Sequence, residues 1–239
     1  MTALGLVSGW FVGYVISVLA DFLPRYSSTE TQYRSTALRC SMPAIIQFAQ
    51  AIAARESLSN VIKLNLAVEV ITSILFAAVW AQSSLLSLAM SSLLCAFLIL
   101  VAVIDLRYRL VLNILIFPAM ALTLIVRAIM PGASLLAVLL GGAFGLAIFA
   151  LVALLRPGQL GGGDVKLATL IGLIFAFPNA LWALLIGVLA GGVASVWLLT
   201  NRRGNAQTQI AYAPFLVFGA LVALLYNPVP SLMYRLIGF

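Results

Sequence analysis

LLAVLLGGAFGLAIFALVALL, Leu135 to Leu155, is a run of 21 residues without one charged or hydrogen-bonding side chain. About 20 consecutive apolar residues form a helix long enough to cross the roughly 30 Å hydrocarbon core of a bilayer, whereas a surface helix of a soluble domain needs only one apolar stripe. The run is continuous. An outer-membrane barrel strand would place a polar residue at every second position, so a barrel is excluded. Outward from this stretch the chain shows seven more: Leu4 to Leu23, Leu64 to Ala81, Leu85 to Ile104, Leu110 to Ile129, the short Val165 to Phe177, Leu181 to Leu199 and Ile210 to Tyr226. The expected fold is all-α, a polytopic membrane bundle of about eight transmembrane helices. Composition agrees, since 64% of the 239 residues are hydrophobic and 8% charged, where a soluble protein carries about 25% charge to cover its surface.

The net charge of +7 does not point to nucleic acid, because the basic residues come in ones and twos between apolar runs and form no stripe. They sort by side instead. With the N-terminus outside, eleven Lys and Arg fall in the inner connections and only Arg127 and Arg235 outside, as the positive-inside rule requires of a plasma (inner) membrane protein. The first span has no basic residue before it and reads as a retained span, not a signal peptide. The chain then divides into that span (1–23), a cytoplasmic loop (24–63) and a seven-span membrane domain (64–239). Met42 to Leu58 in the loop is expected to form an amphipathic helix on the membrane surface. Glycines recur at helical spacing, at Gly5, Gly9 and Gly13, at Gly141 and Gly145, and at Gly187 and Gly191. Such spacing marks faces where helices approach closely in lipid.

No histidine is present, which removes H-E-x-x-H zinc proteases, Ser-His nucleophiles and histidine relays. Cys40 and Cys95 are isolated and signal neither a disulfide framework nor a metal site. Carboxylates remain. Of six Asp and Glu, Glu30 and Glu56 lie in the loop, while Asp21, Glu69, Asp105 and Asp164 lie in or beside spans, where each is costly. Asp105 ends the third span and Asp164 follows Gly161, Gly162 and Gly163 before the sixth. The 58 residues between them hold one out-and-back hairpin, which returns both carboxylates to one face at similar depth. Two carboxylates that meet cannot both ionise, so they can act as general acid and general base on a water molecule. Taken alone, Asp105 reads equally as a helix-end residue paired with Arg107 or Arg109, and Asp164 as a helix N-cap. The three glycines weigh against a plain cap, since they permit close backbone approach and an unusual chain path that would admit an extended substrate. Asp21, near Pro24, reads as an interface residue whose change to Asn leaves activity in place.

Gly161-Gly162-Gly163-Asp164-Val165-Lys166-Leu167 resembles the G-x-G-D motif of intramembrane aspartic proteases, and its G-x-G-D-x-K-L form that of the type IV prepilin peptidase family. Asp105 followed by Asn113 is similar to the family's first aspartate motif, with Leu112 where the family has proline. Tyr212 to Gly219, containing Pro214, resembles its P-F-L segment. The Leu66 to Val70 stretch resembles its glutamate-bearing segment, which makes Glu69 a further candidate acid beside the alternative of a bundle-facing group paired with a loop cation. The resemblance implies Asp105 and Asp164 as catalytic residues, with Gly161, Gly162, Gly163, Lys166, Asn113 and Pro214 in support. The implied substrate is a type IV prepilin or a type II secretion pseudopilin, cut after a short basic leader at the cytoplasmic face. Many members carry two C-x-x-C pairs that bind zinc in the first loop and methylate the product with S-adenosylmethionine. Here that loop holds one cysteine. The expectation is therefore cleavage that needs no cofactor, no bound metal, and weak or absent methyl transfer. A proton- or cation-coupled transporter would place its acids near the midplane, and a silent assembly factor would not need both aspartates.

Overall fold

A computed structural model describes residues 2–27, 60–82, 85–129, 134–155, 160–200 and 211–226. Among them stand eight helices and no strand: α1 (Thr2–Ser27), α2 (Asn60–Gln82), α3 (Leu85–Tyr108), α4 (Asn113–Ile129), α5 (Leu135–Leu155), α6 (Gly162–Phe175), α7 (Asn179–Thr200) and α8 (Ala213–Leu225). Each coincides with one of the eight apolar stretches. In lipid every backbone polar group has to be bonded within the protein, and a helix bonds its own. Met42 to Leu58, expected to lie on the membrane surface, falls outside the described residues.

Helices α1, α2, α3, α5 and α7 are long and apolar enough to cross a membrane, and the chain is a multi-pass membrane protein. The other three, α4, α6 and α8, have 17, 14 and 13 residues and fall short of the usual 20 or so. The chain forms two compact units, Met1–Arg107 and Tyr108–Phe239.

In the first unit α1 lies against α2 along its glycine row. A Cβ at Gly9 would stand 2.7 Å from Ser73 Cα, and one at Gly13 would stand 2.8 Å from Glu69 Cα. Lipid supplies no hydrophobic drive between helices, so packing at this range is what holds them together.

In the second unit α6 is the hub, packed against α4, α5, α7 and α8. Seven of its 14 residues are buried, so it answers to protein neighbours and not to bilayer thickness. Its closest neighbour is α5, where a Cβ at Gly172 would come within 2.2 Å of the Gly141 carbonyl oxygen. Helices α7 and α8 meet in the same way, with Gly219 against the Ala183 carbonyl. Leu136 and Leu154 on α5 and Val193 on α7 are exposed, as lipid-facing positions are.

Candidate active site

Helix α6 begins three residues earlier than the apolar stretch suggested, and this changes the standing of Asp164. Gly161 is the N-cap, with extended φ −75° and ψ 145°, and Asp164 lies in the first turn. The Gly161 N–H donates to Asp164 Oδ2 at 3.2 Å, and the Asp164 N–H donates to the Gly161 carbonyl at 3.0 Å. The carboxylate thus does the work of the acidic member of a capping box. An acidic group also suits the positive end of the helix dipole. The side chain is nonetheless buried, at 9% exposure.

The glycines before it do not follow the unusual path expected of them, since Gly161 is ordinary extended backbone and α6 is helical from Gly162. They differ in what surrounds them. A Cβ at Gly163 would meet Val111 Cβ at 2.7 Å, one at Gly161 would lie 3.4 Å from Asp164 Oδ2, and one at Gly162 would meet nothing within 4 Å.

Two of the supporting residues meet. Lys166 Nζ, on α6, donates to Asn113 Oδ1, at the start of α4, at 2.8 Å, and it sits 5.3 Å from the centroid of the Phe117 ring. The lysine is therefore held, not merely extended toward water. Pro214 lies in the first turn of α8, where its missing N–H costs no helical bond. Tyr212, just before α8, packs against Phe149 and Phe215 with ring centroids 6.2 Å apart in each case.

In the first unit Asp105 occupies the last turn of α3, 4% exposed. Glu69, on α2, is 1% exposed and accepts a hydrogen bond from Trp10 Nε1 of α1 at 3.0 Å. The partner shown for it is thus an indole of the bundle. Asp21, read from the sequence as an interface residue, pairs with Arg107, and its side chain is 16% exposed. Arg107 also donates to the Ser17 carbonyl and to Asn65 Oδ1. Arg107 stood out in the sequence only as a candidate partner of Asp105, and Asn65 did not stand out at all. The available signal was the spacing of Asn65 and Glu69, four residues apart and on one face of a helix. Among the described residues no three His, Cys, Asp or Glu side chains gather where they could hold a metal ion; Cys40, Glu30 and Glu56 lie outside those residues.

The type IV leader peptidase family matches residues 92–196, a segment that contains Asp105, Asn113, Asp164 and Lys166. A prepilin leader peptidase/N-methyltransferase of Bacillus subtilis (strain 168) is 34% identical over 165 residues, which cover 67% of this chain and 65% of the relative. The chain thus spans a little under two thirds of that relative's length. No solved structure matches. On the strength of these two similarities, with both aspartate motifs inside the matched segment, the chain belongs to the type IV leader peptidase family.

Proposed function

We propose that the chain is an intramembrane aspartic endopeptidase that removes the basic leader peptide from type IV prepilins or type II secretion pseudopilins, with Asp105 and Asp164 as its catalytic pair. One observation carries the reading: the family segment contains both aspartates, and each is a buried carboxylate at a helix end. Buried acids in a membrane bundle call for a function. One carboxylate takes a proton from water as the water oxygen attacks the scissile carbonyl carbon, and the other gives its proton to the carbonyl oxygen. The resulting gem-diol collapses as the leaving amine is protonated. No covalent enzyme intermediate forms. The excess of Lys and Arg on one side of the spans supports an N-terminus outside and cleavage at the cytoplasmic face of the inner membrane. That side also suits a substrate with a basic leader and an apolar helix.

The zinc loop known from many members is not matched by the residues here. Structural zinc takes about four ligands, and residues 24–63 offer Cys40, Glu30 and Glu56 with no histidine. Methyl transfer from S-adenosylmethionine is accordingly proposed to be weak or absent.

The deciding experiment incubates the purified protein with a prepilin fragment and looks for the shortened product by mass. Asp105→Asn and Asp164→Asn should each lower the rate by about 1,000-fold or more, the upper range for loss of a general acid or base, with expression and membrane insertion unchanged. Turnover within tenfold of wild type in either variant would defeat the pair.

A further inference from the structure

Arg107 ties α1 and α2 to the last turn of α3. Its Nη1 donates to Asp21 Oδ1 and, at 3.1 Å, to the Ser17 carbonyl, both on α1; its Nη2 donates to Asn65 Oδ1 on α2. The arrangement is enclosed, with the Arg107 side chain 8% exposed and Asn65 4%. A basic residue that merely closes a helix at a membrane surface extends its head into water. This one turns inward across two neighbouring helices.

Arginine suits the task because its planar fork presents several donors in fixed directions, which an ammonium does not. The bonds therefore set both the rotation of the last turn of α3 and its position along the bundle. Asp105 belongs to that turn, two residues before Arg107, and lies about 200° around the helix from it at about 100° per residue. The helix ends at Tyr108, and Arg109 takes a left-handed φ of 53°, so the chain changes direction at once. Farther along the same two helices, Trp10 and Glu69 make a second polar tie between α1 and α2, which keeps the platform under Arg107 in register.

We propose that Arg107, held by Asp21 and Asn65, is the positioning residue for Asp105. This rests on the reading of Asp105 as one of the catalytic pair. Arg107 touches no reacting atom; it fixes the direction in which Asp105 is presented.

The test is cleavage of a synthetic peptide made of a basic leader, a glycine junction and an apolar segment, by the full chain in detergent. Arg107→Gln and Asp21→Asn should lower kcat about 100-fold, the scale set by a displacement of about 1 Å in a reacting geometry, while KM stays within about threefold because substrate binding is untouched. Both proteins should still fold and elute as wild type does, with a lower melting temperature because one partner of an enclosed pair is left without the other. Asp21→Glu, which keeps the ion pair, should retain kcat within about tenfold, and the exchanged pair Asp21→Arg with Arg107→Asp should recover at least about tenfold over either single change, as coupled partners do. If Arg107→Gln does not fold, Asp21→Asn and Arg107→Lys decide by the same criteria. A kcat within about threefold of wild type in the folded variants overturns the proposal, and so does a loss that only follows the folded fraction. Inactive Asp105→Asn beside fully active variants of Arg107 and Asp21 overturns the positioning role alone. Turnover in Asp105→Asn overturns the catalytic pair and the positioning role together.

Discussion

Gly163 has no room for a side chain, and Gly162 beside it has room to spare. A methyl at Gly163 would stand 2.7 Å from Val111 Cβ and 3.0 Å from its Cγ2, whereas at Gly162 it would meet nothing within 4 Å. Gly163→Ala should therefore destabilise by about 1–3 kcal/mol, the usual cost of overpacking. Gly162→Ala should stay within about 0.5 kcal/mol, as changes away from contacts do. Unfolding of both variants in detergent checks the contrast, and equal losses would show that the run acts through its backbone alone. The glycine run itself was legible in the chain. Which glycine is needed was not, because the answer depends on a valine in another segment. The same holds for Lys166 and Asn113, motif residues 53 positions apart that share a hydrogen bond. Lys166→Met and Asn113→Ala should couple by up to about 1 kcal/mol in a double-mutant cycle, a ceiling set by the exposure of the contact.

Helices in this protein adhere where side chains are missing. A Cβ at Gly172 would fall 2.2 Å from the Gly141 carbonyl oxygen, and since a backbone atom cannot swing aside, α5 and α6 would have to separate. Gly192, on α7, has nothing within 4 Å of such a Cβ. Gly172→Ala should lower stability in detergent by at least about 1–3 kcal/mol, while Gly192→Ala should change it by less than about 1 kcal/mol, the scale of helix propensity alone. Comparable melting of the two variants would remove close packing as the source of cohesion. Glycine spacing announced these faces for α1, α5 and α7. It could not announce the partners Gly172 and Gly219, because neither has a second glycine one helical turn away and each becomes a packing residue only when another helix lies against it. The early start of α6 has a similar origin. Its first turn, Gly162 to Asp164, is poor in apolar side chains and escaped an apolar reading, yet the bond from Gly161 to the Asp164 carboxylate closes it.

Across the whole chain, charge placement governs the proposed orientation. On the proposed eight-span topology eleven basic residues lie on one side and two on the other, so a reporter at the N-terminus should be accessible from outside the cell and one between α3 and α4 should not. The reverse pattern would place the proposed cleavage on the wrong face. Chelators should leave cleavage unchanged, and elemental analysis should find no stoichiometric zinc, given one cysteine and no histidine in residues 24–63. What the sequence determined unaided was the all-helical membrane class, the number and place of the apolar helices, and the motif aspartates with their family. Transfer into lipid is a cost summed residue by residue along a segment, so a segment alone declares it. Tertiary structure alone decided the partners: Arg107 with Asp21 and Asn65, across 86 and 42 residues, and Trp10 with Glu69 across 59. A buried donor bonds whichever acceptor the neighbouring helix presents, and helix packing, not position along the chain, sets that choice.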